Sequence, residues 1–375
     1  MSLLENTPTY LKYTYKLLGI VQFSYNSLPS SNIIHRLCCL PFYLYIVYLI
    51  VLYNVAILKK GSVDGLIDRI VNYNNILFFG IYFFCCIRRC NKLKFLLIRV
   101  KKIEIPFVSP ILSPKWLKWN VISLLVVFLV NTPFIPFMLN TPQSVIYLYY
   151  APVFLASFEI FFLNDLLDTF FQKFKLINQQ LHREIFSVSL FELFPLTKIE
   201  KINALEAEET KFRMEQIQSL SHYHYDLVKL SQKMAKHFEI TLITALILWF
   251  ETVIETAYYI VYMILHGKPN LVIYGVNFAY ISVEFWWFFC LIWSFSRVAD
   301  EANKTGTFVH DVWNKYAVAG RTDKRIRYLQ LFSVRLLNTR LQFTAMDFFN
   351  FDWTFGHMVI AAVTTYVVIL VQFRF

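Results

Sequence analysis

Seven stretches of this chain are apolar enough and long enough to cross the hydrocarbon core of a bilayer, and that removes most folds from consideration. They run at roughly 37–58, 71–87, 117–139, 143–164, 238–265, 271–296 and 354–373. A core of about 30 Å asks for about 20 apolar residues in helical form. Lipid supplies no hydrogen bonds, so each stretch must pair its backbone internally, as a helix does. Of the 375 residues only 16% are charged and 57% are hydrophobic, against about 25% charged in a soluble protein. The expected fold class is an all-α membrane protein with seven transmembrane helices. Asn72, Asn74 and Asn75 crowd the start of the second span, and Pro133 and Pro136 should kink the third.

Direction follows from charge. Counted by connection, 31 of the 36 Lys and Arg residues fall on the face that holds the N-terminal segment and only 5 on the other. Leaving out the long fourth-to-fifth connection still gives 21 against 5. Basic loops stay in the cytoplasm, so the N-terminus is expected there and the C-terminus outside. That is the reverse of a G-protein-coupled receptor, and no Asp-Arg-Tyr triplet follows the third span. The net charge of +11 is explained by this asymmetry and calls for no nucleic acid partner. Met1-Ser2-Leu3-Leu4-Glu5 lacks the features of a cleaved signal peptide, so insertion is expected to use the internal spans.

Three connections read as helices that leave the membrane. Leu167, Phe170, Phe174, Ile177 and Leu181 recur at 3 and 4, as do Ile217, Leu220, Leu227, Leu230, Met234 and Phe238, with His224 at the missing step. The fourth and fifth helices should therefore continue beyond the bilayer, the fifth from about Glu208, with a break near Pro195. Leu329, Phe332, Leu336 and Phe343 form a third stripe beside Arg325, Arg327, Arg335 and Arg340, which suits an amphipathic helix before the last span. The stripes fit either a bundle within one chain or contacts that also join subunits. The expected divisions are 1–164, the N-terminal region with four spans; 165–237, the helical extensions; 238–296, the fifth and sixth spans; 297–353, a connection and amphipathic helix serving anchoring and assembly; and 354–375, the last helix.

Ionisable groups inside spans are costly and mark functional candidates. Glu251, Glu255, Tyr258 and Tyr262 share one face of the fifth span, with Tyr259 beside them. Asn277, Tyr280 and Glu284 stand in the sixth, and Tyr147 and Tyr150 near the outer end of the fourth. An outward-opening ligand pocket between these spans is one reading, and carboxylates bonded within the bundle the other. Aromatic faces with carboxylates suit a polyhydroxy ligand or a cationic plant metabolite. Glu159 lies deeper and reads as structural.

The last span ends Thr365-Tyr366, five aliphatics, then Gln372-Phe373. An amide without a partner in hydrocarbon costs several kcal/mol, about 4–8 for transfer to an alkane, so Gln372 should face protein or water. The pattern resembles the C-terminal signature of insect gustatory receptors. So does the stretch from Leu329 to Asp352, with Phe343-Thr344-Ala345 and the later Asp352 in the family's positions; a glycine is usual where Asp347 stands, which leaves the turn before the last span open. The resemblance implies a ligand-gated, nonselective cation channel at the plasma membrane of a sensory dendrite. It implies four subunits, alike or related, around one pore lined by the last helix, with no G protein required. Ala361, Thr364, Thr365, Val368 and Gln372 fall on one face of that helix. Four copies would make a ring of Gln372 and, one turn deeper, an apolar constriction at Val368 or Ile369. Alternatively Gln372 bonds a neighbouring helix or headgroups. Val367 stands where the sugar-sensing branch commonly has an acid, which favours a bitter-type plant metabolite over a fructose-type sugar as tastant.

Other classes leave traces that are not found. No HExxH, GxSxG or phosphate-cradling glycine loop occurs, so no catalytic residue, cofactor or enzyme activity is expected. The six cysteines lack CxxC spacing and suggest no metal. An ion-coupled transporter remains the alternative from another class, although no pair of interrupted helices in matching halves appears. A silent co-receptor subunit of the same channel would carry the same sequence features. Asn303-Lys304-Thr305 is a glycan acceptor that should stay unmodified if it faces the cytoplasm.

Overall fold

The structure, a computed structural model, describes residues 43–44, 47–48, 51, 64–103, 143–193, 200–265, 271–318 and 324–374. The third expected span and most of the first lie outside the described residues. Six helices and one hairpin carry the rest: α1 (Asp64–Lys102), α2 (Gln143–Leu193), α3 (Glu200–Leu265), α4 (Leu271–Val318), α5 (Lys324–Asn338), β1 (Thr344–Ala345), β2 (Phe349–Asn350) and α6 (Trp353–Arg374).

Length is the first consequence of the sequence pattern. With 66 residues, α3 extends about 99 Å at roughly 1.5 Å per residue, over three times the hydrocarbon thickness. It begins at Glu200, earlier than the stripe indicated, because no Pro or Gly interrupts the chain from there on. The 51 residues of α2 end at Leu193, just short of Pro195. More surprising is α4, whose 48 residues pass the expected end of the sixth span at Ser296 and run on to Val318. Val298, Ala302, Thr305 and Val309 are buried at spacings of 4, 3 and 4, a helical face whose small and hydroxyl side chains hide it from a hydropathy scan.

The stripes are used within the chain. Leu167, Phe170, Phe174, Ile177 and Leu181 are fully buried, and Leu227, Met234 and Phe238 pack among them. The main core runs through α1, α2, α3 and α4 into the hairpin and α6. A smaller one joins Leu181, Ile217, Leu220 and Val309 to Leu329, Phe332 and Leu336 of α5. These residues are thus unavailable to another subunit, and any contact between copies falls to other faces, such as Leu331 and Val334 of α5, which are exposed. Phe343 is not part of the α5 stripe. The helix stops at Asn338, and both polar atoms of the Asn303 side-chain amide hold the Leu341 backbone, Nδ2 donating to its carbonyl (3.0 Å) and Oδ1 accepting its N–H (2.8 Å). Phe343 instead enters the hairpin and packs on Phe295.

The hairpin explains the unusual position 347. Met346 and Asp347 both have positive φ (49° and 60°), and the Phe348 N–H donates to the Ala345 carbonyl, as in a turn of the I′ kind. Aspartate is among the few side chains that tolerate this region, and here its carboxylate also accepts from the Thr344 hydroxyl at 3.2 Å. The Met346 N–H donates to Glu239, which ties the turn to α3. Asp352 then caps α6, accepting the Phe355 N–H at 3.0 Å.

Outward, the helices are apolar. Leu77, Phe84, Ile247, Ile264 and Phe278 are all exposed large side chains, Phe278 by 70%, an apolar band of the kind that lipid or another subunit covers. Among the described residues α3 and α4 each contain a stretch long and apolar enough to cross a membrane.

Candidate conduction helix and ligand cleft

One face of α6 is bound and the other is bare. Phe355 and Val363 are buried, Val359 and Val367 pack on the core, and the Tyr366 ring meets Phe250 edge-on at 5.7 Å. Gly356 permits the closest approach, since a methyl there would come within 3.0 Å of Ile292 Cδ1. Opposite lie Ala361, Thr364, Thr365, Val368, Ile369 and Gln372, all exposed in the single chain. The Thr364 and Thr365 hydroxyls donate to the Ile360 and Ala361 carbonyls, both at 2.9 Å, so this face presents methyl groups more than hydroxyls. Gln372 is its one strongly polar residue. Of the motif residues, Phe343, Thr344 and Asp352 shape the hairpin and cap, roles that their spacing does not disclose; the side chain of Phe373 lies outside the described residues.

The fourth, fifth and sixth spans meet around a narrow cavity of about 30 Å³, room for about two water molecules. Ser157 and Ile160 of α2, Leu242, Ala245 and Trp249 of α3, and Glu284, Trp287 and Phe288 of α4 form its wall. Glu284 is 3% exposed. Its Oε1 and the Trp287 Nε1 are buried with no hydrogen-bond partner among the described residues. Trp249 stacks on Phe288 at 4.5 Å and donates its indole N–H to the Glu284 main-chain carbonyl. A free acceptor and a free donor in an aromatic wall can hold about one or two waters at this volume, or the polar end of a larger molecule if the helices part.

Among the candidate ligand residues whose side chains are described, only Glu284 lines this cavity. Glu251 turns instead to α1, where both its oxygens accept from Asn74 Nδ2 at 3.0 and 3.2 Å. Glu255 is exposed, as is Tyr259; Tyr258 and Asn277 are half-buried, and Tyr280 is buried. The side chains of Tyr147, Tyr150 and Tyr262 lie outside the described residues. Glu159, structural by its depth, accepts the Thr241 hydroxyl at 2.7 Å in the buried core. Sequence reasoning misses Trp249, because an aromatic on an apolar face carries no signal of its own until its neighbours are known.

The sequon is occupied by the fold. The Asn303 amide clamps Leu341, and Thr305 is buried. An unmodified Asn303 is therefore expected on either side of the membrane.

Long unbroken helices and an apolar outer band define a polytopic helical membrane protein. The family model of the 7tm chemosensory receptors matches residues 10–375, and the chain belongs to that family, the insect chemoreceptors. Gustatory receptor 28b of Drosophila melanogaster is similar, 30% identical over 44% of this chain and 35% of its own length; gustatory receptor 28a of the same organism is 27% identical over 42% and 36%. The alignments thus span about a third of these curated relatives. Among solved structures, the insect olfactory receptor OR5 from Machilis hrabei in complex with eugenol has a similar fold. Its TM-score is 0.62 at 11% identity, over 97% of both chains.

Proposed function

We propose that this chain is a gustatory receptor subunit that forms a ligand-gated, nonselective cation channel, four copies surrounding a pore lined by α6. The observation that carries the reading is the bare face of α6. Its opposite face is anchored on the core, and Gln372 is exposed, facing away from the subunit. One helix cannot enclose water, whereas four about an axis can, with Val368 or Ile369 as the dry constriction. The tastant is a bitter-type plant metabolite that reaches Glu284 and the tryptophans of the cleft only when the spans part, because the cavity of about 30 Å³ is far smaller than ligand pockets of roughly 300–1,000 Å³. The receptor works at the plasma membrane of a sensory neuron. OR5 of Machilis hrabei, which shares the fold, was solved in complex with eugenol, and that supports a small organic ligand here.

The decisive measurement is ionic current in a cell line without added G-protein components. Ligand-evoked current that is altered by a water-borne thiol reagent at cysteines replacing Ala361, Val368 or Gln372 agrees with the proposal. Saturable uptake without conductance would instead make the chain a transporter. Currents indifferent to modification at every α6 position would move the pore elsewhere.

A further inference from the structure

A second cavity, of about 330 Å³, opens between α1 and α3. Lys92 and Arg99 from α1 and Lys233 and His237 from α3 converge on it above a floor of Phe95, Leu96 and Leu230. The register of each helix brings them together: Lys92, Phe95, Leu96 and Arg99 follow at steps of 3, 1 and 3, and Leu230, Lys233 and His237 at 3 and 4. No carboxylate lines the cavity among the described residues. From Arg88 to Lys102 there are seven Lys and Arg and no acid, and from Leu227 to Phe238 three Lys and no acid. The next carboxylate along α3, Glu239, is turned to the Met346 amide. Such a cavity holds a positive potential that its own walls do not neutralise.

Its depth in the membrane is fixed by the spans. The second is expected to end near Ile87 and the fifth to begin at Phe238, so His237 sits at the boundary, Lys92 and Lys233 about 8 Å beyond it at headgroup depth, and Arg99 about 18 Å beyond it. On α1, exposed Leu77, Phe84 and Phe95 follow at 7 and 11 residues, close to whole numbers of turns, which draws one apolar stripe from the bilayer to the cavity mouth. There the Arg99 guanidinium lies 5.7 Å from the centre of the Phe95 ring.

We propose that this cavity binds the headgroup of an anionic phospholipid, with phosphate oxygens among Lys92, Arg99 and Lys233 and an acyl chain along Leu77, Phe84 and Phe95. The volume lies at the small end of ligand pockets, roughly 300–1,000 Å³, and takes a headgroup while leaving the chains outside. A soluble polyanion would use the cations and leave the apolar stripe idle. The face is also the one that the charge count assigns to the cytoplasm, whose leaflet carries the anionic lipids.

The test uses the full-length protein in nanodiscs of phosphatidylcholine, with or without phosphatidylinositol 4,5-bisphosphate, followed by native mass spectrometry of retained lipid. The wild type should keep the anionic lipid in preference to phosphatidylcholine. At about fivefold per basic residue, the combination Lys92→Gln, Arg99→Gln and Lys233→Gln should weaken retention on the order of a hundredfold. All three side chains are exposed, and the wild-type comparison needs no variant. Equal retention of the two lipids by the wild type, or undiminished retention by the triple variant, overturns the proposal. Soluble inositol 1,4,5-trisphosphate binding as tightly as the lipid also overturns it, because the site would then be one for free phosphate.

Discussion

At position 347 a carboxylate occupies backbone that a glycine enters without cost, and the hairpin accepts it because aspartate can bond its own turn. With φ at 60° and the Thr344 hydroxyl 3.2 Å away, Asp347→Gly should leave the thermal midpoint of the purified receptor almost unchanged, loss of the hydrogen bond being offset by relief of the left-handed backbone. Asp347→Val should lower stability by more than about 1 kcal/mol, since a β-branched residue cannot take that conformation. Equal behaviour of the two variants would mean that the turn is not left-handed. The resemblance exposes this site as a departure, yet spacing alone gives no hint of a two-residue ladder. Short pairs such as Thr344 to Asn350 have too few alternating positions to announce themselves.

Among elements, the joints between α2, α3 and α4 carry the ionisable groups that matter. Arg297 pairs with Asp168 and lies between Phe171 and Trp293, 4.2 and 4.4 Å from their ring centres. Burial pushes the Asp168 carboxyl up more strongly than Arg297 draws it down. Removing the cation in Arg297→Met should cost about 3–5 kcal/mol, and Asp168→Asn in the same chain should recover much of it. A double-mutant cycle on thermal unfolding measures this. His224, buried against Phe174, meets the Ala302 carbonyl at 3.0 Å, and burial pushes its pKa down to about 4. The unfolded chain binds the proton first, near the ordinary value of about 6.5, so stability present above that value is lost as pH falls toward 4. Replacing His224 with Gln should flatten that part of the unfolding profile; an unchanged slope would assign it to other groups. The long helices are legible because Leu, Phe and Ile at 3 and 4 spacing leave a strong trace. The extension of α4 is not, because Ala302, Thr305 and Gly306 bury a face without being hydrophobic enough to mark it.

Over the whole molecule, the cleft is where sequence reading runs out. Glu251 and Glu255 share a helical face, but which carboxylate meets the fourth and sixth spans depends on helix rotation, and the partner that claims Glu251 stands 177 residues away. Composition cannot supply that pairing. Glu284 can be tested without changing its shape: Glu284→Gln should shift the ligand dose-response by about tenfold or more while surface expression holds, the loss expected for a hydrogen bond to a charged or strongly polar group. Asn74→Ala, which frees Glu251 on the other side of α3, should leave potency alone. A shift with Asn74→Ala and none with Glu284→Gln would return the ligand to the α1 side of the bundle.

Gly356 gives the terminal helix a fulcrum. Touching Ile292 near its start and held along one side as far as Val367, α6 can rock only as a rigid rod that slides this packing, and its tip at Gln372 lies about 24 Å from Gly356 at roughly 1.5 Å per residue. A rocking of only about 5° there carries the tip roughly 2 Å with the helix intact, and in a fourfold ring that displacement acts on every side of the aperture at once.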